Sequence, residues 1–411
     1  MSGGLDSCVL LHLLVQARQL SHFPFSVIHV NHQISPNADS WEQFCVELCG
    51  QYEVDFQAVK VDVPRDSGLG LEAAAREARY AALLAGEGDV LLAHHQDDQA
   101  ETLLLQLLRG AGVNGLAAMP ALREEVGKRL LRPLLDVPRS QLLDYANTHH
   151  LKWIEDESNV SLHYDRNFLR HEIFPKLGKR IVGYRGTLAR VASNLAEAST
   201  LLEQIAREDA ERAVADGRLD IAWLKAATPE RAMNLLRWWI YDLTGLNPSN
   251  ARLHEILNQL CHAKANAQLV CKLGDAKLRR YRQFAYIDKA TEVKPYVLVW
   301  RGEKSLHLPD GSELWFREVI GKGLARTKIQ DSLRVTSRIE GATLQLSANR
   351  PKRTLKNLWQ EAGVPPWERE RMPLVWHGDE LVAVLDIGID CEWRAKPEEA
   401  GLLVQCYNSS L

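Results

Sequence analysis

The chain holds 411 residues, 46% hydrophobic and 25% charged, which makes it globular and long enough for two or three domains. No apolar run approaches the roughly 18 residues of a membrane span, and the first residues have neither a basic stretch nor a cleavage site, so the expectation is a cytoplasmic protein with no membrane partner. The net charge of −3 is uneven: residues 1–120 carry six Lys/Arg against fifteen Asp/Glu, and the remainder 44 against 38, an acidic front suited to cations and a basic back suited to phosphate backbone.

In chain order, "SGGLDS" (2–7) is a glycine turn that runs directly into an apolar-periodic helix around 8–20. "FSVIHVNH" (25–32) reads as a strand, "SWEQFCVELCGQY" as a helix and "DFQAVKVDV" (55–63) as a second strand. An alanine-rich helix closed by Gly86, a third strand "DVLLAHH" (89–95) and a helix closed by Gly110 follow. This β-α-β alternation predicts a parallel sheet with helices on both faces, whose ligands bind beyond the carboxyl ends of the strands. Further on, "LARVASNLAEASTLLEQIARE" and "ERAMNLLRWWIYDLTG" read as helices of a second domain, and "AQLVCKLGDAKLRRYRQFAYID" as strands paired around a "GD" turn. Residues 290–330 lose clear periodicity, and a small mixed module begins near 331. The seven cysteines are odd in number and scattered; Cys45 and Cys49 lack a CxxC partner and read as buried thiols.

Four stretches carry the chemistry. "SGGLDS" has adjacent glycines and hydroxyls at a helix N-terminus, which can cradle phosphate, but no Gly-Lys follows it as in a Walker A loop. In "LAHHQDDQAET", Asp98 and Glu101 stand three apart on one helix face, beside Asp97, His94 and His95. That spacing also reads as a capping box, which needs no ligand. Arg76 stands four residues after Glu72, as a helix ion pair or as a phosphate ligand. Arg166 and Arg170 lie one turn apart in "DRNFLRHEIFP", suited to bidentate phosphate contacts or to a network with Glu155, Asp156 and Glu157.

The turn with Asp6 and Ser7 resembles the PP-loop of the N-type ATP pyrophosphatases. The ordered set "SGGLDS", "HVNH", "EAAAREARY", "HHQDDQAETLLLQLLRG", "LRPLLDVPRSQLLDYA" and "RNFLRHEI" is similar to the tRNA(Ile)-lysidine synthetase family. "KRTLKNLWQEAGVPPWERERMPLVWHGDELVAV" resembles the C-terminal module of its longer bacterial members. The resemblance implies an α/β protein: a Rossmann-like PP-loop catalytic domain over 1–180, a mainly helical tRNA-binding domain over 181–290, a linker over 291–330 and a tRNA-binding module over 331–411. It also implies an apolar strand ahead of the loop, where only Met1 stands. The expectation is therefore a parallel sheet lacking that strand.

The activity implied is ligation of L-lysine to carbon 2 of the wobble cytidine of an isoleucine tRNA with a CAU anticodon, through an adenylated intermediate, with ATP as co-substrate and Mg2+ as cofactor. Ser2, Gly3, Gly4, Leu5, Asp6 and Ser7 would hold ATP. Asp6, Arg76, Asp98, Glu101 and Arg166 would be catalytic, and Asp6 and Asp98 would meet the metal. His95, Asp97, Arg170, Arg350, Lys352, Arg353 and Lys356 would bind substrate. A homodimer is left open, as are two other readings: an inactive remnant that still binds tRNA, and another PP-loop tRNA-modifying enzyme.

Overall fold

Leu5–Ser21 forms helix α1 because its apolar residues Leu5, Val9, Leu10, Leu11 and Val15 recur at helical spacing and all become buried. His22 ends it in the left-handed conformation, its N–H bonded to the Arg18 carbonyl. The computed structural model describes residues 1–64, 70–155, 157, 165–263, 269–289, 294–330, 332–337 and 341–407. It falls into two units, Met1–Ile205 and Ala206–Leu411.

In the first unit, β1 (Ser26–Asn31), α2 (Ala38–Gln51), β2 (Asp55–Lys60), α3 (Leu71–Ala85), β3 (Val90–Leu91) and α4 (Gln96–Leu108) follow the expected alternation. α5 (Val113–Leu116), the hairpin of β4 (Leu122–Glu125) and β5 (Lys128–Leu131), and α6 (Arg139–Thr148) come next. α7 (Asp165–Phe168) then passes through a π-helical turn, Leu169–Ile173, into α8 (Phe174–Arg180). α9 (Tyr184–Ala213) crosses the boundary in sequence.

Among the described residues the strands of this unit lie in two separate sheets: β1 pairs with β2 in parallel, and β3 pairs in parallel with β5, which carries β4 antiparallel on its other side. Met1 lies against β1, its ammonium donating to the Ile28 carbonyl and its own carbonyl 2.9 Å from His29 Nδ1. α1 is shared by two core clusters, one with Leu142 and Ala146 of α6 and one with Val27, Cys49 and Val54. Burial of each such side chain is worth about 1.5–3 kcal/mol, so the turn preceding α1 rests on a fixed support. Cys45 and Cys49 are both fully buried, as read from the sequence.

In the second unit, β6 (Val214–Ala215), β7 (Arg218–Asp220), β8 (Val270–Leu273), β9 (Ala276–Tyr281) and β10 (Phe284–Asp288) form an antiparallel sheet. They pack with α10 (Ile221–Ala226), α11 (Pro229–Thr244) and α12 (Asn250–His262) around fully buried Leu235, Leu236, Ile240 and Leu253. Thr228 caps α11 by accepting from Arg231 N–H, Pro229 starts it and Gly245 closes it at φ 69°.

The stretch expected as a linker, 291–330, is instead folded where it is described. β11 (Val297–Trp300), β12 (Ser305–His307), β13 (Glu313–Ile320) and β14 (Leu324–Ala325) belong to the same sheets as β15 (Leu333–Thr336), β18 (Leu374–His377), β19 (Glu380–Val384), β20 (Gly388–Ile389) and β21 (Ala400–Tyr407). β13 pairs with β21 along all eight of its residues. The short pair β16 (Thr343–Leu344) and β17 (Arg353–Thr354) leads into α13 (Leu355–Glu361) and α14 (Pro366–Arg369).

Candidate active site

Gly3 sits at φ 82°, and a Cβ there would come within 2.7 Å of Ile154 Cδ1, so the turn needs glycine both for its backbone and for space. Ile154 N–H donates to the Gly3 carbonyl at 2.9 Å and pins the turn. Gly4 is the N-cap of α1, and no side chain caps the helix. The first amides of α1 are therefore left without a side-chain cap, donors that can cradle an anion with the helix dipole behind them. Ser7 Oγ donates to the Gly4 carbonyl at 2.9 Å and lies 3.3 Å from Ser2 Oγ.

Asp6 leaves this turn toward α4, where His95 Nε2 stands 3.6 Å from Asp6 Oδ2 and 3.5 Å from Asp98 Oδ2. His95 is 1% exposed and is the N-cap of α4: Asp98 N–H donates to its Nδ1, and its own N–H donates to Asp98 Oδ2 at 3.0 Å. The capping box thus joins His95 to Asp98, not Asp98 to Glu101. Burial raises the Asp6 carboxyl pKa, but the hydrogen bond and charge of His95, with Arg139 and Arg170, overcome it and leave the pKa below the usual range. Burial lowers the His95 pKa, and Asp6, Asp98 and Asp97 reverse that and raise it. Asp6 Oδ1 is buried without a hydrogen-bond partner. An ionised carboxylate with one orphaned oxygen fits a divalent cation, since Mg2+ commonly takes one or two carboxylates together with substrate phosphates.

Glu101 is 1% exposed and accepts two hydrogen bonds from Arg170, Nε at 2.8 Å and Nη2 at 3.0 Å. Arg170 Nη2 is also 3.7 Å from Asp98 Oδ1, so the π-helical turn carries one guanidinium across both carboxylates. Burial pushes the Glu101 pKa up, with Arg170 opposing. Arg166 donates to Thr102 Oγ1 at 3.0 Å, beside the same helix. Arg76 is exposed on α3 and folds over Tyr80, 5.1 Å from the ring centroid. Asp97 is engaged by the protein: its oxygens accept from Arg139 N–H at 3.1 Å and pair with Arg185 Nε at 2.6 Å.

The structure brings together Asp6, His95, Asp98, Glu101 and Arg170, with Arg166 alongside. Arg139 and Arg185, which hold Asp97, and Arg132, whose Nε donates to His94 at 3.2 Å, carry no signal in the sequence; Arg132 and Arg139 stand in the quoted "LRPLLDVPRSQ", but nothing in their spacing ties them to residues 94–98. Of the acidic network set against Arg166 and Arg170, Asp156 lies outside the described residues and Glu157 accepts from Asn37 at 2.7 Å. In the second unit Arg350, Lys352 and Lys356 are exposed, while Arg353 pairs with Glu361. Trp359 is buried in the core, and Trp367 packs edge-on against Tyr281 and Tyr286.

Residues 1–177 match the PP-loop domain family, 219–286 the TilS substrate binding domain and 333–406 the TilS substrate C-terminal domain. A tRNA(Ile)-lysidine synthase of Nitrosomonas europaea is 40% identical over 421 aligned positions, spanning 100% of this chain and 92% of that one. Its counterpart in Aromatoleum aromaticum is 42% identical, over 98% and 95%. That of Coxiella burnetii is 38% identical, over 98% and 91%.

Proposed function

The chain belongs to the tRNA(Ile)-lysidine synthase family, ATP-using enzymes of tRNA modification, and on that premise we propose how its own residues divide the reaction. The observation that carries the reading is the convergence of Asp6, from the phosphate-cradling turn, with Asp98 on α4 across the single buried His95. The uncapped amides of α1 bind the phosphates of ATP. Asp6 and Asp98 would hold Mg2+, which supplies positive charge against the phosphate oxygens.

The carbon-2 carbonyl oxygen of the wobble cytidine attacks the α-phosphorus, and pyrophosphate leaves. The lysine side-chain ammonium then gives up a proton to solvent, the resulting amine attacks carbon 2, and AMP leaves with the oxygen. A cytosine oxygen is a poor leaving group, and adenylation makes it a good one. What the protein supplies is position and charge, the two largest sources of rate in such chemistry. Arg166 faces the phosphates, Glu101 and Asp98 receive the lysine ammonium, and Arg170 bridges those two carboxylates and orients them. Among the described residues no helix is long and apolar enough to cross a membrane, and the reaction belongs where its tRNA is, in the cytoplasm. The test uses ATP labelled at the α-phosphorus, with the tRNA and no lysine. Label should move onto the tRNA and return as AMP when lysine is added; cleavage of ATP to ADP would contradict the reading.

The second unit is assigned to the tRNA backbone. Neutralising Arg350, Lys352 and Lys356 together should raise the tRNA KM several-fold, leave the KM for ATP and lysine in place, and flatten the salt dependence, because each lost phosphate contact releases one counterion fewer. Arg353, already paired with Glu361, should add the least. An unchanged KM and salt slope in the triple variant would remove this tract from the RNA interface.

A further inference from the structure

β3 and β5 are parallel neighbours, with Leu91 opposite Leu131, and Leu92 N–H donates to the Leu131 carbonyl at 2.8 Å. The residues that leave their carboxyl ends are therefore side by side, and they are His94 and Arg132. Arg132 is 4% exposed; its Nη1 donates to the Pro120 carbonyl at 2.7 Å and its Nε to His94 Nδ1 at 3.2 Å. Among the described residues no carboxylate pairs with it, which is unusual for a buried guanidinium.

A guanidinium has donors only. His94 Nδ1 must then be the acceptor, and the ring proton must sit on Nε2. A proton on Nδ1 would set two donors face to face beside a buried cation. Three charged groups on the surrounding elements act in the same sense: Arg132 after β5, Arg76 on α3 and Arg166 on α7 oppose protonation, against Asp98 on α4, which favours it. Burial is the largest cause, and together these bring the His94 pKa down to about 4.

We propose that Arg132 is a positioning residue that fixes His94 as the neutral Nε2–H tautomer, so that His94 meets the reacting α-phosphate as a hydrogen-bond donor and not as a proton acceptor. This rests on the adenylation reading above. No proton is transferred at His94 in either step. The Nε2–H stabilises charge that grows on the phosphate oxygens as the cytidine oxygen attacks.

Nitrogen-15 NMR of the full chain labelled at histidine, with His94→Gln used to assign the signal, reads the tautomer without any substrate. The expected result is a proton on Nε2 and none on Nδ1 at neutral pH, with Arg132→Met mixing the two tautomers and Arg132→Lys restoring one. A wild-type His94 carrying its proton on Nδ1, or on both nitrogens, would overturn the proposal, even if Arg132→Met proves too unstable to use. In the label-transfer assay His94→Gln, which keeps an N–H donor, should lose no more than about tenfold, and His94→Leu about 100-fold or more, the usual cost of a lost transition-state donor. Equal loss in both variants would make His94 a base and refute the proposal. Absence of label transfer in the wild type would refute the adenylation reading instead, with the tautomer measurement still standing.

Discussion

Asp6→Asn should abolish transfer of the ATP α-phosphate to tRNA, by about 100- to 1,000-fold or more, while leaving tRNA affinity unchanged. The substitution is isosteric and can still hydrogen-bond to His95, so it removes charge and little else. That charge is held on Asp6 despite burial by His95, Arg139 and Arg170, and its Oδ1 accepts no hydrogen bond, with Arg139 Nε no nearer than 4.0 Å. A carboxylate that the fold keeps ionised with one oxygen free of hydrogen bonds is placed for a ligand rather than for stability. Normal turnover in Asp6→Asn would detach the glycine turn from the chemistry, and a parallel loss of tRNA binding would mean that the variant had disturbed the fold.

The second large effect is expected at Glu101. Taken as a helix cap, this residue predicts a loss of about 1 kcal/mol in Glu101→Ala with catalysis largely intact. The structure removes that reading, because the cap is His95 and Asp98 and Glu101 is instead the buried acceptor of Arg170. Glu101→Ala should therefore lose stability, about 1–3 kcal/mol for a buried charged group left short of its partner, together with lysine incorporation. Glu101→Gln separates the two effects. It keeps the volume and one acceptor toward Arg170, so thermal stability should largely return, while lysine incorporation stays at least about tenfold down because the ammonium loses a charge partner. Full incorporation in Glu101→Gln would confine Glu101 to a structural role.

The sequence disclosed those residues and concealed their arrangement. α1, β1, α2 and α3 were legible because their apolar residues recur at local spacing, and the glycine turn because Gly3 and Gly4 adjoin a helix start. β13 was not: its partner β21 lies some 80 residues on, and Trp315, 45% exposed, sits between buried Leu314 and Phe316, which hides the alternation. β3 reads in sequence as a strand over 89–95 but is only two residues long, and its neighbour β5 carries Lys128 and Arg129 ahead of its two leucines. At the site the residue types were visible but their pairings were not. Arg170 reaches Glu101 across 69 positions and Arg132 reaches His94 across 38, and no spacing rule spans such gaps. By its resemblance Asp97 is expected to bind substrate, whereas its oxygens are taken by Arg139 and Arg185; an acidic side chain at a helix start serves neighbouring helices as readily as a ligand.

The central claim is that this chain joins lysine to the wobble cytidine of an isoleucine tRNA at the expense of ATP, and radiolabelled lysine tests it most directly. Purified protein should incorporate lysine into a CAU-anticodon isoleucine tRNA only when ATP is present, with AMP released in step, and should leave the same tRNA unlabelled when its wobble cytidine is replaced by uridine. Incorporation without ATP, incorporation into the uridine-substituted tRNA, or none into the cytidine form would contradict the account.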